Sequence, residues 1–236
     1  MSKKISFTFD GKKYFGNKGD TLASALLRND VFLVGRSFKY HRPRGILGAG
    51  SEEPNALVQL ESEGFTEPNV KATEVLLYEG LKAHSQNNWP SLKKDFGSIN
   101  NFLSPFFPAG FYYKTFMWPP KFWKKYEYFI RHTAGLGKSP KENDPHEYEH
   151  IHYHCDYLIV GGGVSGILAS EILRQGSDEN IKILLIDQNN ELGGNFNYGM
   201  EQSVYTQGIV EEDEPYSGWI QYLKDHIKKY FNLKIL

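Results

Sequence analysis

The chain has 236 residues, of which 40% are hydrophobic and 23% charged; this supports one or two globular domains and excludes a disordered polypeptide. A net charge of −1 and a pI near 6.7 argue against a dedicated nucleic-acid binder, which is usually basic. One cysteine, Cys155, permits no intramolecular disulfide, and the N-terminus has charge but no apolar signal core, so a cytoplasmic protein is expected.

Ile5 to Phe9 alternates apolar and polar, as a half-buried strand does, and Asp10-Gly11 is a hairpin turn from which Tyr14-Phe15 returns. Gly19-Asp20-Thr21 offers an N-cap to LASALLRN, whose Leu22, Ala25, Leu26 and Asn29 share one helical face. GRSFKYHRPRGILGAG follows, from Gly35 to Gly50. Its Pro43, Gly45, Gly48 and Gly50 predict a loop. Arg36, Lys39, Arg42 and Arg44 make it basic, with Phe38, Tyr40 and His41 between them. Ala56–Leu60 and Thr73–Tyr78 read as two further strands, which completes a small α+β domain over residues 1–85. Asp20, Glu52 and Glu53 have nothing that places two of them together; helix capping and a solvated loop are their expected roles. No Ser-His-Asp or Cys-His spacing is present, so no catalytic residue is assigned in this chain.

Residues 86–153 form a connecting segment in which seven prolines break the periodicity. Only Pro120 to His132 reads as helix, with Phe122, Tyr126 and Phe129 at helical spacing. The aromatic run around it is expected to cover a neighbouring domain or another chain. With Lys114, Lys121, Lys124 and Lys125 it resembles a platform for single-stranded bases, but the neutral chain speaks against nucleic acid. In HEYEHIHYHC, the alternating His150, His152 and His154 share a face in an extended segment. Zinc needs a fourth ligand, and Cys155 points the other way, so a polar linker and no metal are expected.

From about His154 to residue 236 the order is strand (Tyr157–Val160), glycine loop, helix (Ile167–Arg174) and strand (Ile181–Ile186), a βαβ unit. The apolar run through this region carries Asp156, Glu171 and four glycines and is no membrane span. Gly161, Gly163 and Gly166 satisfy G-x-G-x-x-G directly after a strand and before a helix. Gly161 allows the tight turn, Gly163 lets a pyrophosphate approach the backbone, and Gly166 allows close helix–strand packing. Val164 and Ser165 lie between them at the helix N-terminus, where N–H groups attract phosphate. Asp187, followed by Gln188, closes the second strand 21 residues past Gly166, at the position expected to accept hydrogen bonds from a ribose. Such a carboxylate repels a 2′-phosphate and so disfavours NADP. Gly193 and Gly194 add a second glycine turn, a habit of two-dinucleotide flavoproteins; the residues do not separate FAD from NAD. A last helix is predicted from Ser217, carrying Trp219, Ile220, Leu223, Ile227 and Phe231, then a strand from Leu233 to Leu236. A doubly wound sheet needs more strands, so a longer polypeptide is expected.

Four stretches carry a family resemblance. FTFDGKKYFGNKGDTLASALLRNDVFLVGRSFKYHRPRGILGAGSEEPNALVQL and SQNNWPSLKKDFGSINNFLSPFFPAGFYYKTFMWPPKFWKK resemble alpha subunits of heterotetrameric sarcosine oxidases, as do HCDYLIVGGGVSG and IDQNNELGG. The resemblance implies a ferredoxin-like β-grasp domain followed by the first part of a Rossmann-like dinucleotide-binding domain. Relatives with an iron–sulfur cluster place cysteines in the loop after the helix. No cysteine occurs between Met1 and His154, so ligand count excludes a ferredoxin-type cluster. The loop from Gly35 to Gly50 is then expected to be a structural and interfacial element near a bound anionic cofactor.

The resemblance further implies NAD+ bound in this chain, with FAD possible, through Gly161, Gly163, Gly166 and Asp187. It implies beta, gamma and delta partner subunits, FAD in the beta subunit, and FMN at the alpha–beta interface. The activity implied is oxidation at a CH–NH group. Sarcosine is demethylated to glycine with hydrogen peroxide as product, and the methyl carbon passes to tetrahydrofolate. The 236 residues alone are expected to be inactive. The alternatives are a related amine, opine or proline dehydrogenase subunit, or a non-catalytic dinucleotide-binding scaffold.

Overall fold

A computed structural model describes residues 4–106, 110, 118–176, 180–189, 191–194, 197, 225 and 233–235. The chain divides into two compact units, Met1–Glu147 and Tyr148–Leu236.

In the first unit, β1 (Lys4–Phe9) pairs antiparallel with β2 (Lys12–Asn17). Asp10 and Gly11 join them at φ 49° and 75°, the pair of positive values that a two-residue hairpin of the right twist requires. Ile5, Phe7 and Phe9 are buried, as the alternation predicts. Thr21 caps α1 (Leu22–Arg28) by accepting the Ser24 N–H, and Leu22, Ala23, Ala25 and Leu26 face the core. Burying each large apolar side chain of this set contributes about 1.5–3 kcal/mol. Asn29 closes the helix, donating its amide to the carbonyls of Ala25 and Phe15.

After two short strands, β3 (Gly35–Arg36) and β4 (Pro43–Arg44), the sheet is completed by β5 (Leu57–Leu60), β6 (Glu67–Lys71) and β7 (Lys82–Ser85). The order is β2-β1-β7-β5-β6, with β1 and β7 parallel and the other pairs antiparallel. This is the β-grasp arrangement. The strand predicted over Thr73–Tyr78 is absent: apart from an isolated bridge between Leu76 and Thr21, the segment is turn and irregular backbone. The turn that begins at Ala72 has another use. Val75 and Ala72 accept the N–H groups of Leu22 and Ala23, first-turn donors that a helix cannot satisfy itself. Val75 and Leu77 are buried without joining the ladder. The ladder position goes instead to the polar KAHS of β7, of which Ala83 is fully buried.

The rest of this unit includes α2 (Ile99–Phe102) and α3 (Trp123–Ala134), the latter following a turn of 3₁₀ helix at Pro120–Phe122 and ending at Gly135 with φ 64°. Helix is therefore present where the ring spacing predicts it. Trp89, Phe96, Phe102, Phe106, Trp118 and Phe129 are all more than 60% exposed.

In the second unit β8 (Tyr157–Val160), α4 (Val164–Gly176), β9 (Ile183–Ile186) and β10 (Leu233–Ile235) form a parallel sheet of order β10-β9-β8. Read from β8 outward this is 1-2-3, one half of a doubly wound sheet. The helix begins three residues earlier than its apolar pattern suggests. The helix predicted from Ser217 lies, apart from Asp225, outside the described residues. His150, His152 and His154 are exposed in the irregular lead-in to β8. Among the described residues no three His, Cys, Asp or Glu side chains are arranged to hold a metal.

Candidate dinucleotide-binding site

Three glycines separate β8 from α4. The Gly161 N–H donates to the Ile186 carbonyl at 2.8 Å, which extends the sheet by one residue. Gly161 then turns at φ +107°, a conformation that disfavours any side chain. The first helical bond runs from the Ile167 N–H to the Gly163 carbonyl at 3.0 Å. The N–H groups of Val164, Ser165 and Gly166 therefore have no acceptor within the helix. Gly166 sits hard on the loop: a Cβ there would lie 1.9 Å from the Gly161 carbonyl oxygen. Gly163 is the opposite case, with no atom within 4 Å of where its Cβ would be. Close packing on one side and open space on the other is the form of a backbone cradle for an anion, with the positive end of the helix dipole beneath it.

Asp187 lies beside that loop. Its Oδ2 accepts the Gly162 N–H at 2.5 Å, and its Oδ1 accepts the Asn189 N–H at 2.6 Å. Burial raises the carboxyl pKa, but the N–H groups of Asn189 and Gly162 lower it more, so it stays below the ordinary 3.8 and is ionised at neutral pH. Gln188 is exposed next to it. The second glycine turn closes on the first. Gly193 donates to the Gly162 carbonyl at 2.7 Å and bridges Gly163, and Gly193 and Gly194 hold φ values of +116° and +55°. Gly161, Gly163, Gly166, Asp187, Gly193 and Gly194 thus come together.

One further residue belongs to this group. Gly162 occupies a free position of G-x-G-x-x-G, yet it donates to Asp187 and accepts from Gly193. A Cβ on it would lie 2.3 Å from the buried side chain of Leu192. Three glycines in a row, where the motif asks for two, are the signal that marks it.

The basic loop of the first unit is tied inward. Arg36 is nearly buried and donates to the Leu92 carbonyl from Nε (3.0 Å) and Nη2 (2.6 Å) and to the His41 carbonyl from Nη1 (3.0 Å). His41 Nδ1 is 2.7 Å from Asp95 Oδ2, with both residues buried. Asp95 Oδ1 accepts the N–H groups of Trp89 and Gly97. Arg42 donates to Asn101 and stacks at 4.8 Å on Tyr40. The expected solvated role does not hold for Glu53, which is 1% exposed. Asp20 accepts the Asn17 N–H and pairs with Arg28, while the cap is Thr21.

Fold and loop define the class: a β-grasp unit joined to a Rossmann-type dinucleotide-binding unit, a fold found in oxidoreductases. Residues 2–88 match the 2Fe-2S iron-sulfur cluster binding domain family, and residues 159–211 match the NAD(P)-binding Rossmann-like domain family. The chain is 56% identical, over 80% of its length, to sarcosine oxidase subunit alpha of Rhizobium meliloti (strain 1021), and covers 19% of that relative. It is 28% identical over 88% of its length to the subunit of the same name from Corynebacterium sp. (strain U-96), covering 17% of it. The resemblance to sarcosine oxidase alpha subunits is therefore borne out, over a span of about a fifth of their length. Among solved structures, L-proline dehydrogenase from P. horikoshii aligns over the whole chain and 33% of its own, at a TM-score of 0.51 and 19% identity, a likeness of fold. The first family's cofactor does not fit this chain: residues 2–88 contain no cysteine to ligate a cluster.

Proposed function

We propose that this chain is part of the alpha subunit of a sarcosine oxidase complex and supplies a dinucleotide site to it. The observation that carries the reading is the open space over Gly163, flanked by the tight Gly161–Gly166 contact. A pyrophosphate lying there takes hydrogen bonds from the first-turn N–H groups of Val164, Ser165 and Gly166. Asp187, ionised and already oriented by Gly162 and Asn189, accepts from the ribose diol and repels a 2′-phosphate. Gln188 flanks the sugar, and Gly193 and Gly194 keep the far side of the loop free of side chains. The cofactor proposed is NAD+, with FAD the second possibility. Its ring supplies hydride-transfer chemistry, while the protein supplies binding and orientation.

In the complex we propose beta, gamma and delta partners, FAD in the beta subunit and FMN between alpha and beta. The reaction is oxidative demethylation of sarcosine to glycine with hydrogen peroxide, the methyl carbon passing to tetrahydrofolate. The chain is organised as a β-grasp domain over 1–85, a connecting segment over 86–153 and the nucleotide-binding portion over 154–236. The exposed rings of the connecting segment are the contacts for a partner. The test is to co-express the intact subunit with its partners and assay peroxide from sarcosine. No peroxide from sarcosine, with turnover of proline or an opine, moves the protein to a sister dehydrogenase. Bound nucleotide with no turnover of any amine leaves a scaffold.

A further inference from the structure

The β-grasp family matched by the first unit binds an iron–sulfur cluster, and this chain lacks the ligands for one. What holds the loop in their place is visible around Glu53. The backbone N–H groups of Leu47 and Gly48 converge on Glu53 Oε2 at 2.7 and 2.5 Å. Those of Asn55 and Ala56 converge on Oε1 at 2.7 and 3.2 Å. Glu52 Oε1 takes the next two, from Ala49 and Gly50, at 3.0 Å each. Six N–H groups between residues 47 and 56 thus end on two carboxylates. Glu53 is 1% exposed, and none of the ion pairs among the described residues includes it. A buried carboxylate without a cation is costly unless fully hydrogen-bonded, and four charge-assisted bonds from backbone amides meet that demand. From outside the loop, Thr73 Oγ1 donates to the Gly50 carbonyl at 2.8 Å and Lys71 Nζ to the Ser51 carbonyl.

We infer that Glu53 is the resident anion of this loop, holding through its carboxylate the four backbone amides that converge on it and fixing the loop without any metal. The loop after the helix is where cluster-bearing relatives carry their cysteines. Here its amide donors are already taken by a side chain of the same loop. The unit is a metal-independent platform: an added cluster finds no thiolate in residues 2–88, and the six amides that end on Glu52 and Glu53 are already taken. This holds whatever the second unit binds.

Hydrogen exchange followed by mass spectrometry on the intact protein, over peptides covering residues 45–56, tests it. In Glu53→Gln one acceptor oxygen becomes a donor facing amides, and exchange over this stretch should quicken about tenfold or more. Glu52→Gln, which touches only Ala49 and Gly50, should change it less. If Glu53→Gln alone fails to accumulate while Glu52→Gln folds normally, the same conclusion stands. Equal exchange in wild type and Glu53→Gln overturns it. A second arm needs no variant: incubation of the intact wild-type protein with ferrous iron and sulfide under reducing conditions should add no protein-bound iron and no cluster absorbance. Uptake of a cluster by the intact protein overturns it as well.

Discussion

Two glycines three residues apart should respond to substitution in opposite ways. At Gly166 an added Cβ lies 1.9 Å from the Gly161 carbonyl oxygen and 3.0 Å from its carbon, both backbone atoms. They cannot swing aside as a flexible side chain would, so α4 or the end of β8 must shift. Overpacking of this kind costs about 1–3 kcal/mol, which for a chain of this size lowers Tm by roughly 2–4 °C per kcal/mol. Gly166→Ala should therefore melt about 4–8 °C early for a mid-range cost of about 2 kcal/mol. At Gly163 nothing lies within 4 Å of the Cβ position, and valine methyls reach only about 1.5 Å farther. Gly163→Val should therefore lose less stability than Gly166→Ala. Its side chain fills the volume proposed for the pyrophosphate and denies it first-turn N–H groups. The loss of two such bonds at about 1.5–3 kcal/mol each lowers affinity by roughly 10² to 10⁴. Differential scanning fluorimetry and titration calorimetry with NAD+, together with flavin absorbance of the purified protein, read both effects. A Gly163→Val protein that keeps its nucleotide refutes the cradle. A Gly166→Ala protein that melts with wild type refutes the packing argument.

The ribose contact predicts that Asp187→Asn weakens nucleotide binding by roughly tenfold or more, since it removes a charged acceptor worth about 1.5–3 kcal/mol. Calorimetry checks this, and the variant should also discriminate less against NADP+. Asp95→Ala leaves the buried His41 and Arg36 without their carboxylate and should destabilise the first unit by about 3–5 kcal/mol in chemical denaturation. Glu53 carries a pH prediction. Burial raises its carboxyl pKa, but the N–H groups of Gly48, Asn55, Leu47 and Ala56 lower it below the ordinary 4.5. A folded-state pKa depressed in this way stabilises above the unfolded value and is lost as pH falls through the folded one. The Tm gap between wild type and Glu53→Gln should thus be full at neutral pH and shrink progressively below about pH 4.5.

Much of this was legible in the sequence because the relevant chemistry is local. Asp10-Gly11 adopts its hairpin turn, Thr21 caps its helix, and Gly161 to Gly166 make a strand-to-helix turn from residues a few positions apart. The likeness to sarcosine oxidase alpha subunits was carried by the long, specific stretches at 7–60 and 85–125. Asp187 was found by spacing alone, although the spacing says nothing of its bond to Gly162. Gly162 carries no such mark of spacing, because the motif leaves its position free and its bonds come from residues 25 and 31 positions farther on.

What tertiary structure decided was which segments pair and which carboxylates are buried. Thr73–Tyr78 has the β-branched and apolar content of a strand, yet the Val75 carbonyl caps α1 and Val75 and Leu77 fill the core from outside the ladder. KAHS has almost no strand signal and still pairs with β1 on one side and β5 on the other, because parallel pairing joins residues more than 70 positions apart and is won by fit rather than by composition. Glu52 and Glu53 are neighbours of one chemistry. One lies near solvent and the other is sealed behind four amides, a difference that depends on how the loop closes in space. Propensity and motif act over a few residues; burial and strand partnership are settled only when distant parts of the chain compete for the same volume and the same hydrogen bonds.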